Sequence, residues 1–283
     1  PLDAPSIQRA ARSASPPRRS TALTVLTGLW IIIFFCALFA PSVLDDADGT
    51  HANAARHMAV TGDLVTLHVN GIRYLEKAPL PYWLAAASFR IFGFNTFAVH
   101  LPQAIGVLLL AFLGFRWAER AFDTRTAFYT GLAILTSAGV FLFTRIFIPE
   151  VLLSLFICAA LYCMLRSLQI AEDATRRSTF SSTAHAYLMW TALALAVLTK
   201  GLVALVFFGG AGIAYLVITG EYKRWRTLRF VSGTLLFLAI AAPWHILAGL
   251  RNTGGMNGHG FFWFYFVNEH FLRFLGKRYP KDY

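Results

Sequence analysis

The chain has 283 residues, of which 57% are hydrophobic and 14% charged, and its mean hydropathy is +0.57. A soluble domain carries about 25% charged residues, so the composition excludes a disordered chain, a collagen-like fibre and a disulfide scaffold, and all but excludes an ordinary soluble enzyme. The formal net charge of +11 accompanies no nucleic-acid motif; it fits basic loops that orient membrane helices and meet anionic headgroups, and no nucleic-acid partner is expected.

Residues 1–21 read as a disordered, basic, cytoplasmic tail rich in Ser, Pro and Arg. Pro1 in place of Met suggests numbering that begins inside a longer chain. A spanning helix needs about 20 mostly apolar residues, and the first such run is Ala22 to Leu44. It exceeds the core of a signal peptide, about 7–15 residues, and no clean cleavage site follows, so it reads as a retained anchor. Further runs are Phe94 to Phe115, Ala127 to Phe143, Val151 to Leu165, Tyr187 to Thr199, Leu202 to Thr219 and Phe230 to Leu250. Together they predict an all-α polytopic membrane protein with a transmembrane domain over 22–250, about seven spans, and a large first loop over 45–93. Cys36, Cys158 and Cys163 lie inside these runs without metal-ligand spacing and read as packed or lipid-facing side chains.

With the N-terminus inside, Lys and Arg are about twice as dense on the inner segments as on the outer ones. The unusual polar residues then share the outer face: Asp45, Asp46, Asp48, Glu76, Lys77, Arg145, Glu150, Lys200 and His270. A charge at membrane depth is costly and is usually placed for function, so this convergence predicts one site at the outer interface.

The first loop is the richest segment. Asp45 and Asp46 stand where the first span ends, and His51 to Ala59 has helical composition. Capping by Asp48 or Thr50 explains one acid but not three. Thr61-Gly62-Asp63 and Asn70-Gly71 are turn signals, with a short extended piece over Leu64 to Val69 between them. In Tyr74-Leu75-Glu76-Lys77, adjacent Glu and Lys would not face each other on a helix, so each is expected to have its own partner. The Lys77 ammonium suits a phosphate, Pro79 and Pro81 stiffen its backbone, and Tyr82 and Trp83 read as interfacial aromatics. Pro149 and Glu150 fit the start of a helix, where a carboxylate is stabilised; stabilising that helix end is itself a sufficient reason for Glu150. Thr199-Lys200-Gly201 leaves a lysine between two spans, where it serves either the helix dipole or an anion. Phe261 to Phe266 is an aromatic run, interfacial or packed, and His270 alone is a weak metal candidate.

These blocks, in order, resemble the N-terminal half of bacterial lipid-linked-sugar glycosyltransferases related to protein O-mannosyltransferases, and within them the aminoarabinose transferases that modify lipid A. The resemblance rests on Asp45-Asp46, Ala55-Arg56-His57-Met58, Thr61-Gly62-Asp63, Asn70-Gly71, Tyr74 to Trp83, Arg145 to Leu153, Leu198-Thr199-Lys200-Gly201, Ala242-Pro243-Trp244 and Asn268-Glu269-His270-Phe271. It departs from the family at Asp46, where Glu is common, at Glu150, where Asp is common, and at Ala78, where Pro is common.

The resemblance implies a GT-C-type helix bundle whose first periplasmic loop carries short interfacial helices. It implies transfer of a sugar from a polyprenyl-phosphate donor to a lipid or protein acceptor at the outer face of a bacterial inner membrane. Asp45, Asp46 and Glu150 are the implied catalytic groups. Arg56, Tyr74, Glu76, Lys77, Arg145, Lys200 and His270 are the implied substrate ligands. Membrane lipids are expected neighbours; a divalent metal stays open, and no other cofactor is indicated. Residues 251–283 read as an outer loop, with the chain expected to stop before further spans and a C-terminal domain. A transporter or flippase, and a non-catalytic scaffold relative, are the competing readings.

Overall fold

The structure is a computed structural model that describes residues 17–40, 42–43, 46–172, 181–255 and 258–279, with nothing described of the side chains of residues 46, 171 and 172. Asp45 lies outside the described residues, and of Asp46 only its place at the start of a helix is described.

Helix α1, Arg19–Trp30, continues through a π turn and a 3-10 turn to Phe39. The first loop folds as α2 (Asp46–Thr61), a hairpin of β1 (His68–Val69) and β2 (Ile72–Arg73), and α3 (Leu80–Phe92). The hairpin pairs Val69 with Ile72 across the expected Asn70-Gly71 turn, where both residues take positive φ. There follow α4 (Thr96–Ala121), α5 (Thr124–Leu135), α6 (Ala138–Arg145), α7 (Glu150–Glu172), α8 (Ser182–Lys200) and α9 (Val203–Thr219). A basic 3-10 segment (Glu221–Leu228), α10 (Phe230–Arg251) and a π-helical segment (Trp263–Leu272) complete the described chain.

Among the described residues, five helices are long and apolar enough to cross a membrane. The expected run over 127–143 is not one straight helix: α5 and α6 are bent by 45° between them. Thr136 and Ser137 stand at the break, where the Thr136 hydroxyl bonds back to the Leu132 carbonyl at 2.8 Å. Hydroxyl side chains that compete with the backbone in this way bend helices. The expected run over 202–219 is apolar but has only 17 helical residues.

The bundle around α1, α4 and α5 is apolar. Leu26, Trp30, Phe34 and Leu38 pack against Val107, Ala111, Phe115 and Leu135. Leu26 lies so close over Gly131 that an added Cβ would meet it at 2.6 Å; small residues admit such close helix contacts in membranes. A second core belongs to the first loop, where Ala54, Ala55 and Met58 of α2 meet Tyr82, Ala85 and Phe89 of α3. Tyr82 is 3% exposed and joins this core, and Trp83 donates its indole N–H to the Leu64 carbonyl at 2.8 Å. Tyr82 is thus packed inside the protein, because α3 lies against α2 and the start of α4, while Trp83 is half-buried.

Candidate active site

Several polar segments, remote in sequence, meet at one end of the bundle around a cavity of about 520 Å³. Its wall includes His51, Glu76, Lys77, Tyr82, Glu150, Lys200, Glu269, His270 and Arg273. Lys200 ends α8 because Gly201 turns the chain with φ +81°, a conformation that favours glycine. Glu150 opens α7, and the two side chains form an ion pair, Lys200 Nζ to Glu150 Oε1. The second carboxylate oxygen of Glu150 is enclosed without a protein partner.

The turn before Glu150 is fastened by buried side chains. Asp48 accepts from the Phe147 N–H at 3.0 Å, His51 donates through Nδ1 to the Phe147 carbonyl at 2.6 Å, and Gln103 donates to the Ile148 carbonyl at 2.6 Å. Asp48 is therefore not a cap: it sits inside α2, 3% exposed, and its carboxylate also meets His100 Nε2 at 3.1 Å. Buried polar groups need such partners, and together these contacts fix where α7 begins.

Glu76 and Lys77 partner each other, although Glu76 also has a partner of its own. Their charged ends lie 3.6 Å apart, because residues 74–79 are not helical and the rule for neighbouring helical side chains does not apply. Glu76 also meets Arg278 Nη2 at 2.6 Å and a hydrogen bond from Tyr74. Burial pushes the Glu76 carboxyl upward, but Lys77, the Tyr74 hydroxyl, Arg278 and Arg273 overcome it and hold the group below the usual glutamate range. Tyr74 is pushed well up, by burial first and then by Glu76. His51 is pushed down by burial, against the pull of its bond to the Phe147 carbonyl, with Lys77 adding to the depression. Within the cavity wall, Glu76 thus favours its ionised form and His51 its neutral form.

His270 lines the cavity, but both its nitrogens are engaged. Nδ1 donates to the Tyr265 carbonyl at 2.6 Å, and Nε2 accepts from the Leu202 N–H at 3.1 Å. This arrangement defines a neutral tautomer that ties the π-helical segment to the α8–α9 turn. No group of three or more His, Cys, Asp or Glu among the described residues could hold a metal ion.

Of the residues singled out in the sequence, Glu76, Lys77, Glu150, Lys200 and His270 line this cavity. Tyr74 lines a neighbouring cavity of about 500 Å³ that shares Glu76. Arg56 stacks over the Phe94 ring, 5.2 Å from its centre, and Arg145 donates to the carbonyls of Ala37 and Ala40; neither lines the two cavities. Arg145 instead anchors the end of α6 to the end of the first span. Asp45 and the Asp46 side chain lie outside what is described. His51, Glu269, Arg273 and Arg278 were not singled out. Glu269 adjoins His270 in a block that was noted, whereas nothing local in the sequence marks the other three.

A family profile described as dolichyl-phosphate-mannose-protein mannosyltransferase matches residues 76–247, well over half of the chain. The chain belongs to this family. Among curated members it is 28% identical over 268 residues to an undecaprenyl phosphate-alpha-4-amino-4-deoxy-L-arabinose arabinosyl transferase of Proteus mirabilis, covering 92% of this chain and 45% of that protein. It is 31% identical over 256 residues to the corresponding transferase of Photorhabdus laumondii, covering 88% and 43%. Among solved structures it resembles ArnT from Cupriavidus metallidurans in the apo state, with TM-score 0.79, 26% identity, and coverage of 90% of this chain and 45% of that one. The same protein bound to undecaprenyl phosphate matches with TM-score 0.78 and 26% identity, covering 88% and 44%. The chain spans about half the length of the curated relatives it matches. This mannosyltransferase-family chain is a multi-pass helical membrane protein with a GT-C bundle.

Proposed function

We propose that this chain carries the donor site of an inverting membrane glycosyltransferase. It takes a pentosyl or hexosyl group from a polyprenyl-phosphate donor and passes it to a lipid A-like or protein acceptor. The N-terminus is cytoplasmic, and the site faces the periplasm from the inner membrane, in line with the charge bias of the loops. The observation that carries the proposal is the cavity itself. Lys77 and Lys200, 123 positions apart in the sequence, line one chamber at the end of the bundle beside acidic partners. Its likeness to a protein captured with undecaprenyl phosphate supports the same reading.

The reaction breaks the bond between the anomeric carbon and the phosphate oxygen, and the electron pair leaves with the phosphate. Lys77 and Lys200 stabilise the charge that develops there. Lys200 has to share itself between Glu150 and the phosphate, so donor binding loosens that ion pair. The unpartnered oxygen of Glu150 is then free to accept a hydrogen bond from a sugar hydroxyl. The acceptor attacks from the opposite face of the anomeric carbon, which inverts the configuration. A hydroxyl acceptor gives its proton to Asp45, with Asp46 beside it; an acceptor phosphate is already an anion and needs no base. The two aspartate roles rest on the family resemblance. A carrier would place charge near the bilayer midplane, whereas here the charged cavity lies at one end of the bundle.

The test is transfer from radiolabelled polyprenyl-phosphate sugars by the full-length gene product in detergent. Wild type releases sugar from at least one donor, and Asp45→Asn and Lys77→Ala each fall about a hundredfold or more. An inactive wild type, or variants that match it, would end this reading.

A further inference from the structure

Arg278 is the least expected residue at the site. Its guanidinium bridges two carboxylates remote in sequence: Nε meets Glu269 Oε1 at 2.8 Å, and Nη2 meets Glu76 Oε2 at 2.6 Å. Glu269 is an anchor, with its side chain 3% exposed and Arg273 on its other oxygen at 3.1 Å. The backbone beside Arg278 is anchored as well. Asn268, fully buried, accepts from the Tyr279 N–H at 2.8 Å and donates to the Tyr279 carbonyl at 2.7 Å. Gly276, at φ +67°, lets the chain double back from the π-helical segment so that Arg278 returns to it.

Glu76 is the shared wall of the two cavities, and its carboxylate carries a cation on each oxygen, Lys77 at Oε1 and Arg278 at Oε2. The planar fork of Arg278 is the better partner for a carboxylate. Its hold at 2.6 Å leaves Lys77 at a loose 3.6 Å with a side chain 29% exposed. We propose that Arg278 is a positioning residue: by pinning Glu76 to the buried Glu269, it keeps Lys77 turned into the cavity as an anion ligand. This assignment rests on the donor-site reading above.

Without the clasp, Glu76 closes on Lys77, and the ammonium is withdrawn from the cavity. The test uses the full chain in detergent, as wild type, Arg278→Met, Arg278→Lys and Glu269→Gln. Lys77 is acetylated with an amine-reactive ester and quantified by peptide mass spectrometry against Lys200 as internal reference. Undecaprenyl phosphate binding is measured on the same samples. Labelling of Lys77 falls at least fivefold in Arg278→Met, and undecaprenyl phosphate binds about tenfold more weakly. Arg278→Lys, which keeps one of the two contacts, and Glu269→Gln, which leaves the arginine on Glu76, move both readouts in the same direction by less. Should Arg278→Met fail to fold, Glu269→Gln decides by the same labelling ratio. Unchanged Lys77 labelling in a folded variant overturns the proposal. If Lys77 labelling falls but wild type binds no undecaprenyl phosphate, the clasp stands and the donor reading fails instead.

Discussion

The bundle of α1, α4 and α5 and the layer built from the first loop are held by different forces. In the bundle, large apolar side chains interlock over small ones, as Leu26 does over Gly131, and α1 is tied to α4 by an indole bond, from Trp30 to the Ala104 carbonyl at 2.7 Å, and by an ion pair, Arg19 Nε to Glu119 Oε1 at 3.2 Å. The loop layer is pinned by polar side chains that reach across the fold. Asp48, His51 and Gln103 hold the 147–148 peptides, Trp244 holds the Val65 carbonyl, and Arg251 holds Asp63. Apolar packing tolerates small shifts, whereas a buried hydrogen bond has one good geometry. A site that must place two lysines and two carboxylates around a phosphate therefore sits in the polar layer, with the apolar bundle as its footing.

The largest effect is expected where the polar layer is most buried. Asp48→Ala leaves the Phe147 N–H and His100 without their acceptor inside the protein. Leaving a buried donor without its acceptor costs about 1–3 kcal/mol, and Asp48 serves two of them. Thermal unfolding in detergent should show this as a large loss of stability. A variant melting near wild type would mean that Asp48 does not carry the turn. Next comes Lys77→Ala, expected to lower sugar transfer about a hundredfold, roughly 2.7 kcal/mol of transition-state stabilisation, with little change in melting. That split between activity and stability separates a ligand of the substrate from a brace of the fold. Gly201→Ala follows: the positive φ alone costs roughly 1–3 kcal/mol in a non-glycine residue, and the new methyl would press on His270 and meet the Tyr265 hydroxyl oxygen at 2.7 Å. Melting temperature and transfer should both fall, since Lys200 is the preceding residue. A silent substitution would show that the α8–α9 turn has slack.

The same contrast explains what could be read in the sequence. Most of the apolar runs form long helices and were legible from their composition, because lipid demands it, but the run over 127–143 hid a 45° break and that over 202–219 forms a helix of only 17 residues. Lys200 stood out as a lone charge between two apolar runs, whereas Glu150 shares its turn with Arg145 and opens a helix, which is already a reason for a carboxylate there. Arg56 and Arg145 line neither cavity. They are basic, and they sit beside the right motifs, but one stacks on Phe94 and the other ties down carbonyls. Their roles depend on neighbours that no local pattern encodes. Arg278 and Glu269 fail for the converse reason: their importance comes from Glu76, about two hundred residues earlier. Glu76 and Lys77 were recognised as a unit, but their mutual contact was hidden by treating the segment as helical.

A pH titration sharpens the comparison on the loop side. His51 is depressed, mainly by burial, so the unfolded chain binds its proton more readily than the folded one. Stability must then fall as pH drops below the ordinary imidazole value of about 6.5, by at most about 1.4 kcal/mol per pH unit for one proton. Glu76, also depressed, adds a loss in the same direction only below the ordinary carboxylate value. Melting measured from pH 7.5 to 5.5 should therefore slope downward, and His51→Gln should flatten part of that slope. An identical slope in the variant would remove His51 from the account.

The smallest effect belongs to the bundle. Trp30→Phe deletes the indole bond to Ala104, which is nominally worth about 0.5–1.5 kcal/mol. The loss should lie at the low end of that range, because the Ala104 carbonyl lies inside α4 and has an intrahelical donor to fall back on. The phenyl ring keeps most of the apolar contact with Phe35 and the α4 face. Melting should drop slightly, with sugar transfer and the Lys77 labelling ratio at wild-type values. A loss of transfer without a loss of stability would contradict the division drawn here, since it would mean that the apolar footing sets the geometry of the polar layer above it.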